Sequence, residues 1–147
     1  MHPGRRKSFD RIATAIRAVL DSSVFIRAVI ENSDTALGWV DSVEKKDNEG
    51  FAPELVWLEV ASALARNVAS CVIDASTAFE ALGRILALPL SVHRLDTLAE
   101  PALARALDLG LSVYDASYLT LAEVADAVLV TADRQLAQAA VRAELIA

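Results

Sequence analysis

Apolar residues fall in short blocks along the chain, and the blocks alternate between two spacings. The run Arg17-Ala18-Val19-Leu20 stops at Asp21 and reads as a short buried strand. Ser22 and Ser23 follow as candidate caps for a helix from Val24 to about Ile30. Asn32, Ser33 and Asp34 form a turn and cap, after which Leu37, Val40 and Val43 share one stripe of a helix over 35–46. Asp47 to Gly50 reads as an exposed turn and Phe51-Ala52 as a second strand. Pro53 then suits the start of a strongly apolar helix over 54–68. A further helix is predicted over 74–86, capped by Asp74 or Ser76, and a short strand over 91–94 follows Pro89. Thr97 to Leu109 is helical, with Pro101 tolerated in the first turn and Gly110 closing the end. Ser112 to Ala125 is the next helix. Val128 to Thr131 is a β-branched strand, and Asp133 caps a last helix to about Ala143.

Each strand is short and apolar on both faces, and strands alternate with helices. That pattern predicts a parallel sheet covered by helices on both sides, an α/β fold of three layers, α/β/α. There is no internal repeat, low-complexity tract or linker. Residues 16–147 are therefore expected to form one domain behind a basic leader, residues 1–15, read as a disordered arm.

Composition sharpens this picture. The chain is 147 residues long, 54% hydrophobic and 23% charged, enough apolar material for a core and too much for a disordered protein. Aromatics make up only 5%, so Leu, Val, Ile and Ala must form that core. The longest charge-free run, Ile85 to His93, is interrupted by Pro89 and falls far short of the roughly 18 residues of a membrane helix. The basic start, Met1 to Lys7, is not followed by an apolar stretch ending in a cleavage site, so no secretory signal is read and a cytoplasmic location is expected.

Charge is unevenly spread. The net charge is −6, yet Arg5, Arg6, Lys7, Arg11 and Arg17 against Asp10 give the first 17 residues +4, leaving −10 for the rest. A basic arm can touch nucleic acid or a partner. The acidic body argues against a broad, sequence-blind nucleic-acid binder, which presents a basic surface, and leaves room for a cation.

One cysteine, Cys71, excludes an internal disulfide, and two histidines, His2 and His93, exclude a His-rich zinc site. Any bound metal must be held by carboxylates, which points to a hard, oxygen-loving ion. Four acids stand alone in apolar surroundings. Asp21 is the only charge between Arg17 and Arg27, Glu59 between Glu54 and Arg66, and Asp115 between Asp108 and Glu123. Asp133 follows the strand over 128–131. Asp21 and Asp133 both sit at strand carboxyl ends, where open α/β sheets bind ligands. Each acid also has a bland reading. Asp21 and Asp133 can cap helices, Asp115 fits a capping box with Ser112, and Glu59 can be the one exposed acid of its helix. If the four converge, each close pair repels by roughly 4 kcal/mol at an effective dielectric near 20. Mg²⁺ or Mn²⁺ is the cation that would best hold them together, activating water and stabilising charge on a phosphate.

Four segments carry a family resemblance. Val19-Leu20-Asp21-Ser22-Ser23-Val24-Phe25 resembles the opening motif of PIN-domain nucleases. Pro53 to Leu64, containing Glu59, is similar to their second segment. Gly110 to Ala122, with Tyr114-Asp115-Ala116-Ser117 at its centre, resembles the third and is the most specific. Val130-Thr131-Ala132-Asp133-Arg134-Gln135-Leu136 resembles the fourth. Order and spacing agree over about 18–140, and the similarity is strongest to VapC-type toxins of prokaryotic toxin–antitoxin pairs. The resemblance implies a PIN-like three-layer fold in which Asp21, Glu59, Asp115 and Asp133 surround one or two Mg²⁺ or Mn²⁺ ions. It implies in-line endonucleolytic hydrolysis of RNA, leaving 5′-phosphate and 3′-hydroxyl ends. Asp21 and Asp115 would be the most direct ligands, with Ser23 and Thr131 as candidates to orient a carboxylate or water; for both, helix capping and strand-end hydrogen bonding is the alternative. It further implies inhibition by a cognate antitoxin, and a homodimer.

Other residues have two readings as well. Arg27, Arg66 and Arg134 follow motif acids and could hold an RNA backbone, balance the acids, or form ordinary salt bridges. Trp39 and Trp57 could stack bases but fit core or dimer packing. His93 reads as packing or surface, Cys71 as an apolar filler, and Asp126 as a surface helix terminus. Two rival functions stay open. One is a PIN-like module that binds RNA or protein without cutting, which the presence of all four acids argues against. The other is an α/β phosphatase with Asp21 as nucleophile, disfavoured because Ser23 stands where that class places a second Asp.

Overall fold

Strands and helices alternate along the chain as the apolar spacing predicts. The computed structural model describes residues 14–147, so most of the expected leader, residues 1–13, lies outside the described residues. The elements are β1 (Arg17–Leu20), α1 (Ser22–Val29), α2 (Asp34–Glu44), β2 (Glu49–Pro53), α3 (Val56–Ala69), α4 (Ala75–Leu86), β3 (Ser91–His93), α5 (Leu95–Leu109), α6 (Val113–Val124), β4 (Val128–Thr131), α7 (Arg134–Ala139) and β5 (Ala143–Leu145). All five strands are parallel, in the order β3-β2-β1-β4-β5. The chain steps outward from β1 to β2 to β3, then crosses back to β4 and on to β5. Strand order therefore reverses between β1 and β4, the kind of switch point beside which open α/β sheets bind ligands.

Period-two alternation along β1 and β4 sorts the two core layers. Ala18, Leu20 and Val130 face the layer of α1 to α4, packing with Val24, Phe25, Val40, Val56, Val60 and Ile85. Val19 and Leu129 face the opposite way with Phe51, against Leu98 of α5, Tyr118 and Leu121 of α6 and Leu136 of α7. Register locks this sorting. Val19 pairs with both Phe51 and Leu129, and Leu20 with Val130. Ala18, Val19 and Leu20 are wholly buried, and full burial of a Val or Leu stabilises by about 1.5–3 kcal/mol. No helix among the described residues is long and apolar enough to cross a membrane.

Several boundaries differ from the sequence expectation, each for a local reason. Helix α1 begins at Ser22, because Asp21 rather than a serine is its cap, accepting from the Ser23 N–H. Strand β2 starts inside the expected turn, at Glu49, and ends at Pro53. The Glu54 N–H extends the ladder to the His93 carbonyl at 2.9 Å, so Pro53 closes a strand instead of opening a helix. The last helix stops at Ala139 and the chain turns into β5, a three-residue edge strand whose residues are exposed or half-buried. Such a strand carries too little apolar pattern to be read from sequence.

Candidate active site

The carboxyl ends of β1 and β4 are fastened together around Asp21. Its backbone N–H bonds the Val130 carbonyl at 3.2 Å, fastening the end of β1 to β4. The residue is only 6% exposed. Oδ1 accepts the Ser23 N–H at 2.8 Å and also the Ser23 hydroxyl. Oδ2 accepts the Thr131 hydroxyl at 2.5 Å. Both hydroxyls are themselves held: Ser23 Oγ accepts the Ala132 N–H at 3.0 Å, and Thr131 Oγ1 accepts the Asp133 N–H at 2.9 Å. A hydroxyl has one proton to donate. With a backbone donor on its lone pair, each directs that proton to Asp21. Even so, burial pushes the Asp21 carboxyl above its ordinary value; the Ser23 and Thr131 bonds oppose the rise and the Asp115 charge adds to it.

The other three acids come from three further segments. Glu59 projects from the first turn of α3, and its Oε1 accepts the Tyr118 hydroxyl at 2.5 Å. Burial raises its pKa, the Tyr118 bond opposes that, and the charges of Asp21 and Asp115 add to it. Asp115 sits in the first turn of α6, where Ser112 caps the helix by accepting the Asp115 N–H at 3.0 Å. Burial raises the Asp115 carboxyl, as does the Asp133 charge, against the Ser112 hydroxyl. Asp133 caps α7, its Oδ1 accepting the Leu136 N–H at 3.1 Å. Asp21, Glu59 and Asp115 thus sense one another, and Asp115 senses Asp133.

No cationic side chain among the described residues compensates them. The ion pairs there join arginines to Glu31, Asp41, Glu44, Glu49, Asp96, Glu123 and Asp126, and none reaches the four acids. Carboxylate oxygens without an ion-pair partner, partly desolvated at Asp21, Glu59 and Asp115, have the donor chemistry of a hard divalent cation and not of a soft one. As placed, no three His, Cys, Asp or Glu side chains among the described residues are grouped closely enough to hold an ion. Hydrogen bonds tether Asp21, Glu59 and Asp133 individually.

The remaining candidates sort clearly. Arg27 pairs with Glu31 at 3.0 Å and Arg66 bonds Ser62 at 3.0 Å, so neither balances the acids. Both instead line a groove of about 1110 Å³ that also contains Ser23, Trp57, Glu59 and Tyr114. Trp39 and Trp57 pack on the α1–α4 core. His93 lies tilted against Phe51, ring centroids 6.1 Å apart. Cys71 is not an apolar filler: it is exposed, in a left-handed turn (φ 57°) that ends α3. Asp126 ends α6 in the same conformation (φ 49°) and pairs with Arg142 at 2.8 Å. Sequence reasoning missed Tyr118. The available signal was its place three residues after Asp115, one helical turn on the same face.

An open parallel sheet with four carboxylates near its switch point, none paired with a cationic side chain among the described residues, defines a small α/β domain with an acid-lined site. The PIN domain family profile matches residues 18–142, and the chain belongs to that family. PIN domains are generally nucleases. Similar solved structures include PAE2754 from Pyrobaculum aerophilum, 24% identical, with a TM-score of 0.69 and 90% of each chain covered. VapBC2 from Rickettsia felis, solved with a DNA fragment from its promoter, is 14% identical, with a TM-score of 0.65, covering 90% of this chain and 100% of that one. FitAcB from Neisseria gonorrhoeae is 14% identical, with a TM-score of 0.59, covering 87% and 96%. These likenesses are of fold. Comparison with curated proteins finds no match.

Proposed function

We propose that this PIN domain is a Mg²⁺- or Mn²⁺-dependent endoribonuclease of the VapC-toxin kind, inhibited by a cognate antitoxin. The observation that carries the reading is a set of four carboxylates from four segments, paired with no cationic side chain among the described residues, with Asp21, Glu59 and Asp115 partly desolvated in one another's field. Asp21, Glu59, Asp115 and Asp133 would hold the cation, with Asp21 and Asp115 closest to it. A bound Mg²⁺ or Mn²⁺ supplies positive charge for a phosphate and lowers the pKa of water. The chain's own part is positioning. Ser23 and Thr131 fix both oxygens of Asp21, which orients that one carboxylate ahead of binding. Hydrolysis adds water across one phosphodiester: a new P–O bond forms, the bond to the 3′ oxygen breaks, and the ends are 5′-phosphate and 3′-hydroxyl.

The acidic body argues for RNA held in the groove beside Glu59, where Arg27 and Arg66 stand on facing helices, rather than bound over a broad surface. Likeness in fold to VapBC2 and FitAcB supports the antitoxin partner. Exposed Leu58, Leu107 and Tyr114 support a homodimer. Residues 16–147 would act as one nuclease domain, the leader as an accessory arm, and the cytoplasm as the site of action. The test is incubation of purified, antitoxin-free protein with total cellular RNA in Mg²⁺, in Mn²⁺ and in EDTA, beside Asp21→Ala. Discrete fragments only with metal and only from the native chain are expected. Folded protein that cuts nothing under any metal would shift the assignment to a non-cutting RNA- or protein-binding module.

A further inference from the structure

We propose that Tyr118 is a positioning residue for Glu59, its phenol pinning one carboxylate oxygen so that the other stays free for the acid site. This rests on the metal-dependent cleavage proposed above. The hydroxyl donates to Glu59 Oε1 at 2.5 Å, and Tyr118 is 2% exposed. The two residues belong to opposite layers: Glu59 to α3, over one face of the sheet, and Tyr118 to the core between the other face and α5–α7. Their bond joins those layers across the carboxyl end of the sheet.

Glu59 has no other anchor. Among the described residues no second donor reaches its carboxylate, no arginine or lysine pairs with it, and the α3 N-cap makes no side-chain bond. A glutamate so placed on a helix has several free torsions, and the phenol removes that freedom. A phenol is neutral in its ordinary range and has one proton to donate, and here that proton goes to Glu59. Tyr118 also lies one turn beyond Asp115 on α6. One helical turn thus presents a candidate ligand and the anchor of another.

A buried phenol needs a partner in any case, so the test must separate positioning from satisfaction. Tyr118→Phe keeps the ring and removes only the hydroxyl. We expect Mn²⁺ affinity by calorimetry and kcat on RNA each to fall about 10- to 100-fold, the range for residues that orient metal ligands, with KM for RNA unchanged. In a Glu59→Ala background the same change should alter neither quantity. Native Mn²⁺ affinity and kcat in Tyr118→Phe, or a full additional loss in the Glu59→Ala background, would overturn the proposal. Should Tyr118→Phe fail to melt cooperatively, Glu59→Asp keeps the charge and withdraws it from the phenol by one methylene. It should lose Mn²⁺ affinity comparably, and native affinity there overturns the proposal. Native protein that neither binds Mn²⁺ nor cuts RNA overturns the nuclease reading itself. Native protein that does both, with Tyr118→Phe unaffected, overturns only the role of Tyr118.

Discussion

Asp21 shows how one residue can carry a fold and a site together. Its carboxylate caps α1 and accepts the hydroxyls of Ser23 and Thr131. Thr131→Val replaces a wholly buried donor by a methyl of similar shape and leaves Asp21 with an unmet oxygen. Metal-free stability should fall by about 1–3 kcal/mol, measured by urea unfolding. Burial raises Asp21, Glu59 and Asp115 above their ordinary values. Between the unfolded and folded pKa the native state then binds more protons than the unfolded chain. The contribution of these groups to stability is therefore favourable at low pH and is lost as pH rises through the folded values. Asp115→Asn removes one such group, so the metal-free melting temperature of that variant should fall less steeply with rising pH than that of the native chain. Parallel pH profiles would contradict this. At this scale Asp21, Glu59 and Asp115 stand out in the sequence as lone charges in apolar segments, and Asp133 as the acid that follows β4. Tyr118 does not, because a tyrosine within an apolar helix reads as packing until its hydroxyl is seen to reach Glu59.

Elements were legible where apolar period and cap chemistry agreed. Ser33, Asp74, Ser112 and Asp133 each cap the helix that follows them, and Gly110 closes α5 in the left-handed conformation (φ 67°). Legibility failed where the deciding interaction came from elsewhere in the chain. Strand β5 exists because β4 offers it an edge, Leu129 pairing with Ala143. The Glu49–Gly50 start of β2 exists because β1 pairs with it. Gly50 is a demand of packing that composition cannot show. A Cβ there would stand 2.7 Å from Leu90 Cδ2 and 2.9 Å from Val43 Cγ1. The Leu90 methyl can swing aside, but Val43 is β-branched on α2 and cannot. Gly50→Ala should therefore cost about 1–3 kcal/mol and lower the melting temperature by several degrees, whereas a native melting curve would show that α2 can give way.

For the molecule as a whole, the parallel sheet and its two helical layers followed from short strands apolar on both faces. The order of the strands did not, since the return from β3 past β2 and β1 to β4 leaves no mark in local pattern. That crossing makes the switch point and brings Asp21 near Asp133. Charge distribution is also a whole-molecule property. The basic leader, +3 over residues 1–15, precedes an otherwise acidic chain. If the leader touches RNA, deleting residues 1–15 should weaken RNA binding and flatten its dependence on salt, by a slope of roughly 0.7 for each phosphate that the arm had neutralised. Filter binding across a salt series measures this, and an unaltered slope would make the arm a bystander.

The most direct test of a single cation site made by four acids is thermal melting with and without Mn²⁺, for the native chain and for Asp115→Asn. Removing one of several repelling carboxylates should raise the metal-free melting temperature, while the stabilisation that Mn²⁺ gives the native chain should largely disappear. A variant that melts below the native chain without metal, yet gains as much from Mn²⁺, would contradict the convergence of Asp21, Glu59, Asp115 and Asp133 on one ion.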